Sequence, residues 1–294
     1  PPATAVPGAN GIVIIGGNDS VYLSTNNTTI NTGVRSCASL QIEAGSALDI
    51  GYNPGCNFGM VLSHPNGNGN FRLTTSWNSG STFTFPSGDF SEFNVHLGTT
   101  ELYSTNPAAG TTYWLPNGVT SYGNLILSPL GGSNIIFPNN DLVIYGNLIT
   151  RGQNADSWFC PTWSSNYPTP PVTRVAKTIT IQGNLDIQGG ALVWYGDGAL
   201  AQNFVIYGNV IVHPATAIDV WSNSTNNIMS IGGSLINNSD GNHAGVGTKS
   251  QVRFSNGANF CDVVFFGSNN ASVTNTAGNP TTIFRNVTVN KGNS

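Results

Sequence analysis

Read for alternation, the chain shows one phrase many times over. Ile179, Ile181, Leu185 and Ile187 share one parity, as do Phe204, Ile206, Val210 and Val212, and also Leu142, Ile144 and Leu148. The opposite parity carries Thr180, Gln182, Asn184 and Asp186. Period two means strand with one buried face. The phrase itself is Tyr122-Gly123-Asn124-Leu125-Ile126-Leu127, which returns as Tyr145-Gly146-Asn147-Leu148-Ile149-Thr150. It comes back as Gln182-Gly183-Asn184-Leu185-Asp186-Ile187, as Tyr207-Gly208-Asn209-Val210-Ile211-Val212 and, more loosely, as Ile231-Gly232-Gly233-Ser234-Leu235. The marker glycines lie 23 residues apart from Gly123 to Gly146, and 25 apart from Gly183 to Gly208 and from Gly208 to Gly233.

A unit of this size with no helical period cannot bury its own apolar face, so neighbours must stack. The pattern predicts an all-β fold, a right-handed parallel β-helix (β-solenoid) of about 24 residues per coil. Each unit is then a pair of short strands hinged at Gly-Asn, and Leu125, Leu142, Ile144, Leu148, Ile181, Leu185, Ile187, Ile206, Val210 and Leu235 point inward. On the order of a dozen coils at about 4.8 Å each predicts a rod roughly 60 Å long. Asn124, Asn147, Asn184 and Asn209 would fall in register and form a ladder; the competing reading is plain turn chemistry, since Gly and Asn both tolerate left-handed conformations. A sandwich of antiparallel sheets with hairpins at Gly-Asn is the architectural alternative.

Residues 1–10 (PPATAVPGAN) read as a Pro/Ala linker, and 11–294 as the solenoid. Upstream phrases such as Leu40-Gln41-Ile42 with Ala47-Leu48-Asp49-Ile50 keep large apolar residues on even numbers, and Phe93, Val95 and Leu97 alternate as in a strand. The stretch 152–176 breaks the pattern and widens one interval to 37 residues, from Gly146 to Gly183. It is expected to leave the rod as a loop insertion, a separate lobe. Its aromatics Trp158, Phe159, Trp163 and Tyr167 are the candidate binding residues for a glycan or a protein partner; the opposing expectation is that they fold back over the side wall.

Composition changes the picture mainly by what it withholds. Charged residues are 7% of the chain and the formal net charge is −4, against roughly 25% charged in an average soluble domain. Surface polarity must come from Asn, Thr, Ser and Gly. No basic cluster exists to hold nucleic acid, and no run of about 20 apolar residues to insert in a membrane. Of the four cysteines, Cys37 and Cys56 are 19 apart and form the disulfide candidate, while Cys261 reads as a buried hydrophobe. The turn around Asp240 is rich in oxygen ligands with a single carboxylate, the one place for calcium; no other cofactor or metal is implied. Glycoside hydrolysis needs two carboxylates in one cleft. The thirteen acids are scattered singly, the nearest pairs being Asp89 with Glu92 and Glu43 with Asp49, and the four histidines are isolated. The expectation is therefore no catalytic residues and no enzyme.

The phrases TITIQGNLDIQGGALVWYG, FVIYGNVIV and TIFRNVTVNKG, with CASLQIEAGSALDIG upstream, resemble very large repeat-rich cell-surface proteins of Bacteroidetes, cargo of the type IX secretion system that includes adhesins of gliding cells. The resemblance runs from about Cys37 onward and implies an extracellular, surface-bound module. It implies a structural or adhesive role in a long protein or filament, with other chains, copies of itself or surface glycans as partners. A polysaccharide-binding or polysaccharide-degrading β-helix is the alternative. In that phylum Asp-Ser/Thr-apolar tripeptides are O-glycosylated, and Asp19-Ser20-Val21 matches, which makes Ser20 the glycosylation candidate. The last phrase ends without a capping helix, which raises the expectation of a fragment or of an end covered by another chain.

Overall fold

Strands with one apolar face have to stack, and they do so as a β-solenoid of about nine turns, roughly 25 residues per turn, nearly all β with parallel coils. The computed structural model describes residues 10–23, 36–53, 55–63, 69–75, 80–105, 110–152, 157–161, 175–196, 200–221, 226–241, 250–276 and 278–292. Nine turns, and not a dozen, make a rod of roughly 43 Å at ~4.8 Å per coil. The shortfall arises because some turns take well over 25 residues, such as the 37 from Asn147 to Asn184, so fewer of them fit in the chain.

The coils build three walls. The second wall is one ten-stranded parallel sheet running from Ser20–Tyr22 to Val273–Asn275. The first wall consists of a four-stranded and an eight-stranded sheet. Between these two lies the short helix Ser91–Val95, packed against Asn57–Ser63 of one and Ser121–Tyr122 of the other. The third wall is a five-stranded sheet from Thr112–Trp114 to Ala217–Val220, prolonged by bridges at Thr82–Trp114, Ile218–Val252 and Arg253–Ile283. All ten residues expected to point inward are fully buried. They stack in register, for example Leu148 on Leu185 on Val210 on Leu235. An antiparallel sandwich is thereby excluded.

The Gly-Asn hinge has a specific physical reason. Asn124 Oδ1 accepts the backbone N–H of Asn147 at 2.9 Å, Asn147 that of Asn184 at 2.7 Å, Asn184 that of Asn209 at 2.7 Å, and Asn209 that of Ser234 at 2.8 Å. The ladder is real, but it runs side chain to backbone, not amide to amide. It also explains the glycine before each Asn. A Cβ built on Gly146 would lie 2.2 Å from Asn124 Oδ1, on Gly183 2.4 Å from Asn147 Oδ1, and on Gly208 2.4 Å from Asn184 Oδ1. None of these glycines has a positive φ. The close-approach role of glycine is therefore what the repeat uses, and left-handed turn chemistry is not.

Two segments depart from the sequence reading. Phe93, Val95 and Leu97 lie in and after the helix Ser91–Val95, not in a strand. The Ser91 N–H donates to Asp89 Oδ1 at 2.9 Å, Phe93 and Asn94 are buried side by side, and Leu97 at φ 60° ends the turn. Burial of both neighbours is something strict alternation does not predict. The helix still joins the ladder, because the Gly123 N–H donates to Asn94 Oδ1. The second departure is 152–176. Trp158–Cys160 is a third-wall strand pairing with Asn134–Ile136 on one side and Ala191–Trp194 on the other. Part of the presumed insertion is thus the wall itself, and deleting all of 152–176 would open the coil. Residues 162–174, with Trp163 and Tyr167, lie outside the described residues.

Candidate functional site

Alternation on the third wall puts Phe159, Leu192, Trp194, Ile218 and Val220 into the core and turns their neighbours outward. These outward residues form a second apolar cluster of Trp114, Ile136, Cys160, Ala191, Val193 and Ala217. Trp158, Tyr195 and Trp221 pack against it, half-buried, with ring centroids 5.7 Å (Trp158–Tyr195), 5.1 Å (Trp158–Trp221) and 6.2 Å (Tyr195–Trp221) apart and planes tilted by 52–53°. Ala191 and Ala217 follow Trp158 in the register column, so small side chains leave room for the indole to lie along the wall. Of the sequence candidates, Trp158 belongs to this patch. Phe159 does not: one residue further along a strand faces the other way, and it is a core side chain.

Below the aromatic trio sits the strongest electrostatic feature of the wall. Asp219 is outward by register yet fully buried. It accepts from Arg253 Nε at 2.7 Å and Nη2 at 2.8 Å, from Trp221 Nε1 at 3.2 Å, from Gln251 Nε2 at 3.4 Å and from the Val220 N–H at 2.8 Å. A bidentate guanidinium with these added donors satisfies a carboxylate that would otherwise be costly to bury.

A second charged group lies outside the second wall. Asp49, Arg72 and Glu101 are register neighbours on successive strands. Arg72 donates to Glu101 at 2.8 Å and to Asp49 at 3.2 Å, and the Tyr103 hydroxyl donates to Asp49 at 2.9 Å while its ring lies 4.9 Å from the guanidinium. Burial, then the Asp49 charge, push the Tyr103 phenol well above its ordinary pKa. Burial works against the Arg72 charge, but Glu101 and Asp49 outweigh it and raise its pKa. A third group joins His213 Nε2 to Asp186 Oδ1 at 2.7 Å, with Gln188 Nε2 on Asp186 Oδ2 at 2.7 Å.

The sequence reading missed these partnerships because it looked for acids close along the chain. In a solenoid the closest residues are one coil apart: 49 and 72, 186 and 213, 262 and 285. Opposite charges at one period are the signal that would have found them. Of the pairs near in sequence, Asp89 and Glu92 serve locally, Asp89 at the helix start and Glu92 on His96 at 3.5 Å.

Cys37 and Cys56, the disulfide candidates, are both buried and are not bonded to each other in this structure. Ser36 pairs with Asn57, so Cys37 stands one residue past that bridge and Cys56 one before it. Two residues of strand rise, ~6.6 Å, combined with ~4.8 Å between strands, exceed the ~7 Å Cα limit for a disulfide. Cys160 and Cys261 are also buried, and burial raises both thiols well above their ordinary pKa. The folded protein should therefore resist an aromatic disulfide reagent at neutral pH, and four thiols should titrate in denaturant without reductant. Two titrating thiols would restore the Cys37–Cys56 bridge.

Ser20 is exposed in the first strand of the second wall. Asp240 Oδ1 accepts the Ala215 N–H at 3.1 Å, tying one turn to the coil below, and residues 242–249 beside it lie outside the described residues. Among the described residues no three His, Cys, Asp or Glu side chains come together as a metal site. Compared with protein-family models, with curated proteins and with solved structures, the chain matches none.

Proposed function

We propose that this chain is a non-catalytic structural and adhesive rod of an extracellular cell-surface assembly. The observation that carries the reading is where the charges go. Asp49–Arg72–Glu101, Asp186–His213, Asp219–Arg253 and Asp262–Arg285 each join one coil to another. In a chain with only 7% charged residues, these acids and bases serve as ties along the rod. A solenoid built this way passes load from coil to coil, which suits a stalk or filament. The resemblance to Bacteroidetes surface proteins and type IX cargo points the same way, with Ser20 exposed for glycosylation. The aromatic trio Trp158, Tyr195 and Trp221 is the surface we assign to contact with a glycan or another chain.

One arrangement favours the rival reading, a polysaccharide-processing β-helix. Asp49 and Glu101 lie two strands apart and share the Arg72 guanidinium, through Nη1 at 3.2 Å and Nε at 2.8 Å, which brings their carboxylates within the separations of glycosidase pairs, about 5–9.5 Å. Arg72 stands between them and binds both, and Tyr103 also donates to Asp49. The test is to incubate the protein with a panel of neutral and acidic polysaccharides and assay reducing ends and unsaturated products. We expect neither, and we expect beads coated with the protein to adhere to cells or glycan surfaces. Product release that disappears in Asp49→Asn and Glu101→Gln would replace the structural reading with the enzymatic one.

A further inference from the structure

The outer face of the first wall carries a pattern that runs along the rod and not along the chain. Strands Leu142–Ile144, Lys177–Ile181, Gln202–Ile206, Asn227–Ile231 and Asn259–Gly267 are each paired on both sides, the last of them with Val287–Lys291. One outward column across them reads Val143, Thr180, Val205, Ser230, Val264 and Thr288, each opposite the next. The outward column beside it reads Tyr145, Gln182, Tyr207, Gly232, Phe266 and Asn290. Both columns change character at every step. One coil offers a valine and an aromatic ring, and the next offers a hydroxyl with an amide or a glycine. The period is therefore two coils, ~9.6 Å along the rod.

The core does not ask for this alternation. The inward residues of the same strands, Ile144, Ile181, Ile206, Ile231 and Phe265, are apolar at every coil. Tyr207 is 57% exposed, Tyr145 and Phe266 are half-buried, and Gln182 is exposed. Gly232 puts no side chain between the rings, so Tyr207 and Phe266 close over it edge to face, with centroids 5.3 Å apart. The strip is thus one ring at Tyr145, a polar step at Gln182 and a two-ring ledge beyond it.

We propose that this strip binds an uncharged linear polysaccharide lying parallel to the rod. A pyranose offers a C–H face to an aromatic ring and a rim of hydroxyls to donors and acceptors, the two chemistries that alternate here. An aromatic that returns after two coils suits a chain of sugars read one disaccharide at a time. Charge sets the class. Neither column holds a carboxylate, ammonium or guanidinium, and the ammonium beside them, Lys291, donates to the Gly232 and Phe266 carbonyls. Area argues against a protein partner: three aromatic side chains of about 150–250 Å² each, only partly accessible, fall short of the ~800 Å² per side of a stable protein interface. Nor can a peptide add as a further strand where both edges are already paired. The inference rests on the adhesive reading and names a ligand class for it, at a site on a different wall from the aromatic trio.

Affinity gel electrophoresis tests this with hydroxyethyl cellulose, a soluble mannan and, as a charged form of the first backbone, carboxymethyl cellulose. The wild type is expected to be retarded by a neutral polymer, and less by the carboxymethyl form. Tyr207→Thr and Tyr145→Thr should each weaken retardation about fivefold, the worth of one aromatic stack. Threonine suits an exposed strand position, and far-UV circular dichroism checks the fold. Tyr207→Leu, which keeps apolar bulk beside Phe266 but removes the ring, replaces a threonine variant that unfolds. No retardation by either neutral polymer overturns the proposal, as does retardation that survives both tyrosine changes or is stronger with carboxymethyl cellulose. Retardation lost in Tyr195→Thr but kept in the first-wall variants would move binding to the trio, overturning the strip and leaving the adhesive reading in place. Absence of binding without sugar release would leave the rod standing, whereas sugar release would remove the rod reading itself.

Discussion

Asp219→Ala is expected to destabilise the fold by about 3 kcal/mol, the lower end of the cost of breaking a buried ion pair. The lower end applies because the Asp219 side chain is fully buried but Arg253 keeps 23% exposure and can be partly hydrated. The loss is not of one contact. Without the carboxylate, the Arg253 fork, Trp221 Nε1 and the Val220 N–H all lose their acceptor. A buried donor left unpaired costs more than the bond was worth. Replacing both ends, Asp219→Ala with Arg253→Met, removes the stranded cation and should be milder than the single change. Urea titration followed by circular dichroism measures both. If single and double variants unfold at the same midpoint, the pair is not what holds the wall, and the aromatic trio above it is packed independently.

How much of this was readable beforehand divides along a physical line. The core was, because Leu142, Ile144, Leu148 and their successors alternate strictly and a buried face admits no slip by one residue. The period was too, since the Gly-Asn phrase repeats at nearly constant spacing. What alternation cannot carry is which of three walls a strand belongs to. Trp158–Cys160 alternates like any other strand, but its interval is 37 residues long, from Gly146 to Gly183, and the extra residues disguised it as an insertion. The helix Ser91–Val95 was hidden for the opposite reason: Phe93 and Val95 mimic a strand, and the decisive fact is that Asn94 is buried beside Phe93 to meet Gly123.

The electrostatic ties were legible in principle, since Asp49 and Arg72 are one coil apart, but only after the coil length is fixed. Asp219 and Arg253 are 34 positions apart, and no fixed period finds that pair. Coils of unequal length shift the spacing on every wall, and the Asn ladder itself steps 37 residues from Asn147 to Asn184. A lone charged pair has no repeated phrase to mark it across such a step, as the Gly-Asn phrase marks the ladder, so the buried carboxylate and the aromatic trio are harder to read from sequence than a core position.

The Gly-Asn phrase makes the sharpest energetic prediction, because it couples two residues in different coils. In Gly146→Ala the new Cβ would stand 2.2 Å from Asn124 Oδ1 and 2.8 Å from its Cγ, and the three nearest atoms all belong to that side chain. Asn124 cannot simply swing aside. Its Oδ1 holds the Asn147 N–H and its Nδ2 donates to Leu97 O at 2.7 Å, so yielding space means breaking the ladder. The expected cost is about 1–3 kcal/mol, from overpacking or an orphaned N–H. Asn124→Ala alone should cost a similar amount by stranding the same N–H. The double variant should cost clearly less than the sum, because the alanine at 146 then fills space the asparagine has vacated. Gly208→Ala is the control: its Cβ would also meet Gly183 O at 2.5 Å, a backbone atom, so Asn184→Ala should rescue it poorly. Urea midpoints for the two cycles decide the matter. Strict additivity at Gly146 and Asn124 would mean that the glycine is kept for some reason other than the side chain below it.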